Sequence, residues 1–224
     1  IHLEKEQVIN QTRICRDAIM KESIFIGFIL LVLHVNVQAQ TYNILDFGAK
    51  PNTKIVNTAF IQKAIDSCAA SGGGRVYVPS GTFLTGTLEL KSNIDLYLES
   101  GAVLQGSPNL SDYREYQLDD YPMYRYGILY THKANNVSIT GQGTINGNEE
   151  AFFDFTKAKE IQWGGKEFTR QKDKYRSVAS GIGDGPVVPK ERPHQMVIFS
   201  ECTNVLIRDV QLIKSPFWTL HFAD

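Results

Sequence analysis

Apolar positions along the chain change from a helical to a strand period at Gly72-Gly73-Gly74. Before the glycines, Phe60, Ile61, Ala64, Ile65 and Cys68 fall on one face at helical spacing and predict a single amphipathic helix. Asn57 or Thr58 is placed to cap its start, and Ser71 with the three glycines is placed to stop it. Beyond them the pattern alternates. Residues 75–78, 82–84 and 87–90 read as short strands, parted by the turn Pro79-Ser80-Gly81 and by Gly86.

The strand pattern then repeats. Leu96, Leu98 and Leu104 share their mutual spacing with Val137, Ile139 and Ile145, and again with Val205, Ile207 and Ile213. The first two copies close alike on Leu104-Gln105-Gly106 and Ile145-Asn146-Gly147, and the second and third open alike on Asn136 and Asn204. Near the end, Met196-Val197-Ile198-Phe199-Ser200-Glu201 lines up with Thr219-Leu220-His221-Phe222-Ala223-Asp224 at a spacing of about 23 residues. Each unit reads as a strand, a tight polar turn and a second strand. The copies are offset by 41 residues (96 to 137) and 68 residues (137 to 205). Removing one coil from each leaves inserts of about 18 and about 45 residues. The tyrosine-rich stretch 108–125 and the charged, aromatic stretch 148–191 supply them.

Units of this length fit a parallel β-helix, an all-β solenoid in which each coil buries its inner face only against its neighbours. The helix before the first coil is the expected cap of the N-terminal end. A β-sandwich is the competing architecture, and it has no true repeat. The last copy has no continuation after Asp224, so the chain is expected to be the N-terminal part of a longer solenoid, incomplete at its C-terminus.

The front end adds an address. Met20 is followed by the apolar run 24–33 and by the small-x-small pattern Val37-Gln38-Ala39. The run is shorter than the roughly twenty residues a spanning helix needs, and it has the form of a signal peptide over 20–39. The expectation is a secreted or periplasmic protein starting at Gln40, with residues 1–19 as upstream sequence outside the native protein. Of the cysteines Cys15, Cys68 and Cys202, the last two belong to the mature chain. Two are too few for a disulfide framework and match no metal spacing; they are expected to be buried free thiols. A net charge of −1 carries no signature of nucleic-acid binding.

Several segments carry a resemblance. Tyr42-Asn43-Ile44-Leu45-Asp46-Phe47-Gly48-Ala49, Gly72-Gly73-Gly74-Arg75-Val76-Tyr77-Val78-Pro79-Ser80-Gly81-Thr82-Phe83 and Ile139-Thr140-Gly141-Gln142-Gly143-Thr144-Ile145 resemble the opening of pectin-degrading β-helix proteins. Arg192-Pro193, Asn204-Val205-Leu206-Ile207 and Ser215-Pro216-Phe217-Trp218-Thr219-Leu220-His221 narrow the resemblance to glycoside hydrolase family 28, the polygalacturonases and their relatives. It runs from about Thr41 to Asp224. One departure is the stretch 51–57, where the family often carries Gly-Asp-Gly and acidic residues; it touches the cap rather than the chemistry.

The resemblance implies a right-handed parallel β-helix and an inverting hydrolase, in which one aspartic acid protonates the leaving oxygen while others act on a water at the opposite face. The family draws these groups from an Asn-x-Asp motif, an Asp-Asp pair, a Gly-His-Gly and an Arg-x-Lys, all after the Ser-Pro-Phe-Trp segment. Six residues follow Trp218 in this chain. Asp119-Asp120 lies far upstream in the polar insert, Arg170-Gln171-Lys172 precedes the third coil, and no Gly-His-Gly occurs. No catalytic residue, cofactor or metal ligand is therefore assigned, and the chain alone is expected to be inactive.

Three residues are candidates for touching substrate. Trp218 and His221 fall one coil before the strand where the family places its first catalytic aspartate, and Trp218 has a face to stack on a sugar ring. Arg192 has the geometry to pair with a uronate carboxylate. Each has a plainer reading: packing under a loop for Trp218, stacking within the ladder for His221, a structural contact for Arg192. Lys166, Arg170, Lys172, Lys174 and Arg176 make the long insert locally basic, which suits an acidic polymer or simply a solvated loop. The tyrosines 113, 116, 121, 124 and 126 of the shorter insert are equally open. The expected partner is a galacturonan-type pectic oligo- or polysaccharide, with no nucleic acid and no membrane, bound by a monomer. A non-hydrolytic, tailspike-like carbohydrate-binding β-helix and a β-eliminating lyase are the alternatives.

Overall fold

The computed structural model describes residues 40–116, 124–158, 168–171, 174–177 and 187–223. The expected signal peptide, Asp119-Asp120, Tyr121, the loop residues Lys166, Glu167, Lys172 and Asp173, and Asp224 lie outside them, as do the side chains of Tyr124, Arg170, Lys174 and Arg176.

After β1 (Thr41–Asn43) and a 3-10 turn at Ile44–Phe47 comes α1 (Thr58–Ala70), which turns Ile61, Ala64, Ile65 and Cys68 inward. The glycine stop operates as expected: Gly72 and Gly73 take φ of 94° and 113°, a region open to them for want of a Cβ. The cap differs from expectation. Asn57 occupies the cap position but its side chain makes no cap bond. Wholly buried, it accepts from the Lys50 N–H (2.7 Å) and donates to the carbonyls of Lys50 and Ile55, pinning the preceding loop. Thr58 Oγ1 accepts from the Gly86 N–H at 2.7 Å, which ties the helix start to the first coil.

Four coils follow. The first is β2 (Gly74–Val78), β3 (Gly81–Thr85) and β4 (Leu88–Leu90). The second is β5 (Ile94–Leu98) and β6 (Ala102–Gly106), an insert with β7 (Glu115–Tyr116) and β8 (Tyr124–Arg125), then β9 (Leu129–His132). The third is β10 (Asn135–Gly141) and β11 (Thr144–Asn146), an insert with β12 (Phe153–Ala158), β13 (Phe168–Gln171), β14 (Lys174–Ser177) and β15 (Val187–Pro189), then β16 (Val197–Ser200). The fourth is β17 (Thr203–Ile207), β18 (Gln211–Ile213) and β19 (Leu220–Ala223).

Strands of successive coils stack in parallel into three sheets: sheet A (β1, β2, β5, β10, β17), sheet B (β3, β6, β11, β18) and sheet C (β4, β9, β16, β19). Inside the inserts, β7 with β8, β12 with β15, and β13 with β14 pair antiparallel. The molecule is a right-handed parallel β-helix, the hand that parallel crossovers take. The expected two-strand unit is corrected to three strands. Its third strand follows the inserts in coils two and three, which hides its period.

The core is a set of ladders along the axis. Val76, Leu96, Ile139 and Ile207 stack in sheet A. Phe83, Leu104, Ile145 and Leu212 stack in sheet B. Leu88, Leu129, Val197 and Leu220 stack in sheet C. Two expected registers shift. Leu96 pairs with Ile139 rather than Val137, because the turn from β10 to β11 is two residues shorter than that from β5 to β6. That slip of two keeps the same face inward. Ile145 pairs with Leu212 rather than Ile213. That slip of one reverses the face, and Ile213 accordingly points to solvent. Within the described residues the match of 196–201 to 219–224 holds for 197–200 on 220–223, with Val197 on Leu220 and Phe199 on Phe222.

The asparagines that open the copies have a local cause. Asn93, Asn136 and Asn204 stand at φ of 62°, 56° and 53°, a left-handed step at the starts of β5, β10 and β17, which Asn tolerates best after Gly. They also bond along the axis, Asn136 to Asn93 and Asn204 to Asn136, each at 3.1 Å. Cys68 and Cys202 are both free; Cys68 is buried on the inner face of α1, whereas Cys202 is only half-buried, against expectation, because it lies in the turn entering the last coil.

Candidate functional site

Both inserts leave the solenoid at one corner, between sheets B and C. In coil one that corner is Gly86-Thr87 alone; in coil four it is residues 214–219, which include Ser215-Pro216-Phe217-Trp218. Gly106 and Gly147, the glycines that close the first two copies, let the corners lie on one another. A Cβ at Gly147 would meet the Lys214 carbonyl at 2.6 Å and Pro216 Cδ at 2.7 Å. The repeated glycine is thus a mark of close backbone approach under the rim.

The rim is fastened by the returning segment of the long insert. Arg125, from the short insert, pairs with Glu115 at 2.6 Å and with Glu191, while its backbone carbonyl accepts from the His194 N–H at 2.8 Å. Arg125 Nε is buried and has no partner among the described residues. Tyr116 and Gln195 meet at 3.5 Å. Tyr116, Tyr126 and Tyr130 stack at 4.0 Å steps beside this junction. The Tyr126 hydroxyl is pushed well above the usual tyrosine value, first by burial and then by its bond to Tyr130. Tyr126 has a ring on each side, and Tyr116 is covered by Tyr126 on one face. Tyr113 is buried, with its hydroxyl on the Ser107 carbonyl.

All three expected contact residues gather at the last corner. Trp218 is 57% exposed, its ring against Phe217 (5.3 Å) and edge-on to His221 (5.4 Å). It is the indole that projects from the rim, held from one side and open to solvent. His221 sits in register with Ile198, its Nδ1 buried with no partner among the described residues, an arrangement that costs about 1–3 kcal/mol where it occurs. Arg192 is half-buried. Its guanidinium lies over Phe217 (4.9 Å) and Phe153 (5.0 Å), and Nη1 donates to the Pro216 carbonyl at 2.7 Å. Burial lowers its pKa. His194 packs on Phe217 at 4.9 Å, and burial and the Arg192 charge hold its imidazole below the ordinary value.

Sequence reasoning found the indole and imidazole through the Ser-Pro-Phe-Trp-Thr-Leu-His run. It missed Phe153, Arg125, Glu191 and His194. Arg125 and Glu191 are 66 residues apart and share no pattern; His194, two residues from Arg192, had a positional signal. Glu115 and Glu191 are taken by Arg125, and Glu150 by Lys214 at 2.5 Å, so these rim carboxylates are occupied by ion pairs. Among the described residues no group of three His, Cys, Asp or Glu side chains is placed to hold a metal ion. The arrangement offers binding: an aromatic face beside polar groups, at the edge of a rigid ladder.

The family described as rhamnogalacturonase A/epimerase, pectate lyase-like, matches residues 41–170, more than half of the chain. The exo-poly-α-D-galacturonosidase of Dickeya chrysanthemi is 40% identical over 121 residues, covering 47% of this chain and 19% of that protein. A probable polygalacturonase of Vitis vinifera is 25% identical over 201 residues, covering 84% of this chain and 35% of that one. The crystal structure of a hyperthermoactive exopolygalacturonase from Thermotoga maritima superposes with a TM-score of 0.60 at 27% identity, covering 84% of this chain and 44% of that one. The chain spans 19% and 35% of the length of these two curated relatives.

Proposed function

Because the chain belongs to the rhamnogalacturonase A/epimerase, pectate lyase-like family, we propose that it forms the capped N-terminal end and part of the substrate rim of an exported glycoside hydrolase of the polygalacturonase type. The substrate is a galacturonan-type pectic polysaccharide, and the whole enzyme hydrolyses its O-glycosyl bonds with inversion. Export rests on the segment 20–39. The observation that carries the binding role is Trp218, an exposed indole fixed by Phe217 and His221 at the corner where both inserts converge. Aromatic faces of this kind bind sugar rings by stacking. The relatives named as polygalacturonases favour hydrolysis over lyase chemistry.

The resemblance places the proton-transfer motifs after the Ser-Pro-Phe-Trp segment; residues 219–224 carry none of them, Asn93-Ile94-Asp95 and Asp119-Asp120 lie far upstream, and no Gly-His-Gly occurs in residues 1–224. The chain by itself is therefore a binder without turnover. The test uses oligogalacturonates. The chain binds them with a change in tryptophan fluorescence and releases no reducing ends, and a reading frame extended through those motifs releases reducing ends without an ultraviolet-absorbing unsaturated product. An unsaturated product from the extended frame would assign a lyase instead.

The geometry favours action at a chain end. The two inserts, joined through Arg125, Glu191 and His194, stand on coils two and three, beside Trp218 on coil four. Their described parts meet on the N-terminal side of the rim, an arrangement that suits a chain terminus better than a passing polymer. Product analysis on the extended frame decides: monomer from the first minutes supports chain-end action, and a ladder of oligomers rules it out.

A further inference from the structure

We infer that Arg192 is a positioning residue for Trp218 and not a ligand of the uronate carboxylate. The inference rests on Trp218 being the sugar-stacking face. A single line of contacts runs from the long insert to that face: Phe153 to Arg192 (5.0 Å), Arg192 to Phe217 (4.9 Å), Phe217 to Trp218 (5.3 Å), Trp218 to His221 (5.4 Å). Arg192 is the only charged member of that line, and its planar group suits stacking on rings as a lysine ammonium does not.

The backbone bond explains why an arginine is needed at this corner. Pro216 lacks an N–H and cannot anchor its turn by donating. Its carbonyl is instead held by Arg192 Nη1 at 2.7 Å. The same guanidinium therefore fixes the backbone before Trp218 and the ring beneath it. A carboxylate is best held by two parallel N–H groups along the guanidinium edge; here one terminal nitrogen is committed to Pro216, and the group is half-buried against two rings. His194 packs on the same Phe217 ring (4.9 Å) from two residues further along the insert, so the segment clamps the corner at two points.

The experiment is a double-mutant cycle on the whole chain, with Arg192→Gln, Trp218→Ala and both together. Binding of an oligogalacturonate and of its methyl-esterified, uncharged counterpart is measured by calorimetry. Arg192→Gln is expected to weaken both ligands alike, about tenfold, and to add no further loss in the Trp218→Ala background. A loss confined to the acidic ligand, or one that persists undiminished without Trp218, would overturn the inference and return Arg192 to the carboxylate. If Trp218→Ala leaves both affinities unchanged, the sugar platform itself is wrong, a separate result. Thermal unfolding of each variant is followed in parallel. Should Arg192→Gln unfold, Phe217→Leu takes its place, since it breaks the same line while keeping apolar volume; it must show the same equal loss on both ligands, and any other pattern counts against the clamp.

Discussion

The two ends of the solenoid are built from the same kind of coil and end in opposite states. At the N-terminal end, α1 lays Ile61, Ala64, Ile65 and Cys68 over the first coil, and the inward residues Val76, Val78, Phe83, Leu88 and Leu90 are all buried. In the last coil the equivalent positions are as apolar, yet Val205, Ile207 and Leu212 are half-buried and Phe222 is 58% exposed. Burial here is a property of the stack and not of the coil. A repeat that contacts only its neighbours gains its stability from the interfaces on each side, and among the described residues the last coil has one interface where the inner coils have two.

The sharpest test of that difference uses one ladder and one substitution. Leu88 and Leu220 are the first and last members of the same inward row of sheet C. Leu88 is 0% exposed and Leu220 is 39% exposed. Leu88→Ala is expected to cost about 2–5 kcal/mol, the range for a buried leucine whose surroundings cannot collapse. Leu220→Ala removes a side chain already in contact with water and is expected to cost about 1 kcal/mol or less. Urea unfolding of the two variants reads the contrast directly. Equal shifts in midpoint would mean that the end coil is buried in solution, and the comparison between the ends would fail.

A second pair compares polar groups. Asn57 is wholly buried under the cap and makes three side-chain bonds to the backbone of residues 50–55. Asn57→Ala strands those backbone groups and is expected to cost about 1–3 kcal/mol. Asn204 also bonds, donating to Asn135 and Asn136 at 3.1 Å, but at an exposed turn where water replaces what is lost. Asn204→Ala is expected to cost about 1 kcal/mol, most of it for placing alanine at positive φ. Asn204→Gly, which relieves that strain, should recover most of it. If it does not, the axial asparagine bonds carry more than solvent can return.

The same contrast explains which parts of the molecule were legible in the sequence. The helix, its glycine stop and the alternating strands of the first coil were visible because each is set by local spacing. Sheet C was half visible: the match of Val197 to Leu220 spans one uninterrupted coil, while Leu88, Leu129 and Val197 are separated by inserts of different length. Register failed where turn length varied. The slip at Leu96 was harmless because it preserved the face, and the slip at Ile213 reversed it because the turn into β18 is one residue shorter than that into β11. At the rim, Trp218 and His221 were carried by one contiguous run. The clamp behind them was not, since Phe153, Arg125 and Glu191 come from distant parts of both inserts and meet only after folding.

The smallest effect expected is at the two cysteines, which report on the ends without altering the core. Cys68 lies buried on the inner face of α1, and desolvation pushes its thiol up to about 11. Cys202 is half-buried in the turn entering the last coil, its sulfur against the carbonyls of Ser200 (3.2 Å) and Thr131 (3.6 Å). A free thiol titrates near 8.5 in an unfolded chain. Folding therefore raises the pKa of Cys68, so its contribution to stability is complete below about 8.5 and is lost as pH rises toward the folded value. Two outcomes follow. Cys68→Ala should flatten the alkaline limb of the stability profile. At pH 8, a small thiol reagent should label Cys202 through local opening of the end coil and reach Cys68 only at the rate of global unfolding. Labelling of both at one rate would mean that the cap opens as readily as the uncapped end, and the helix would then contribute no protection to the coil it covers.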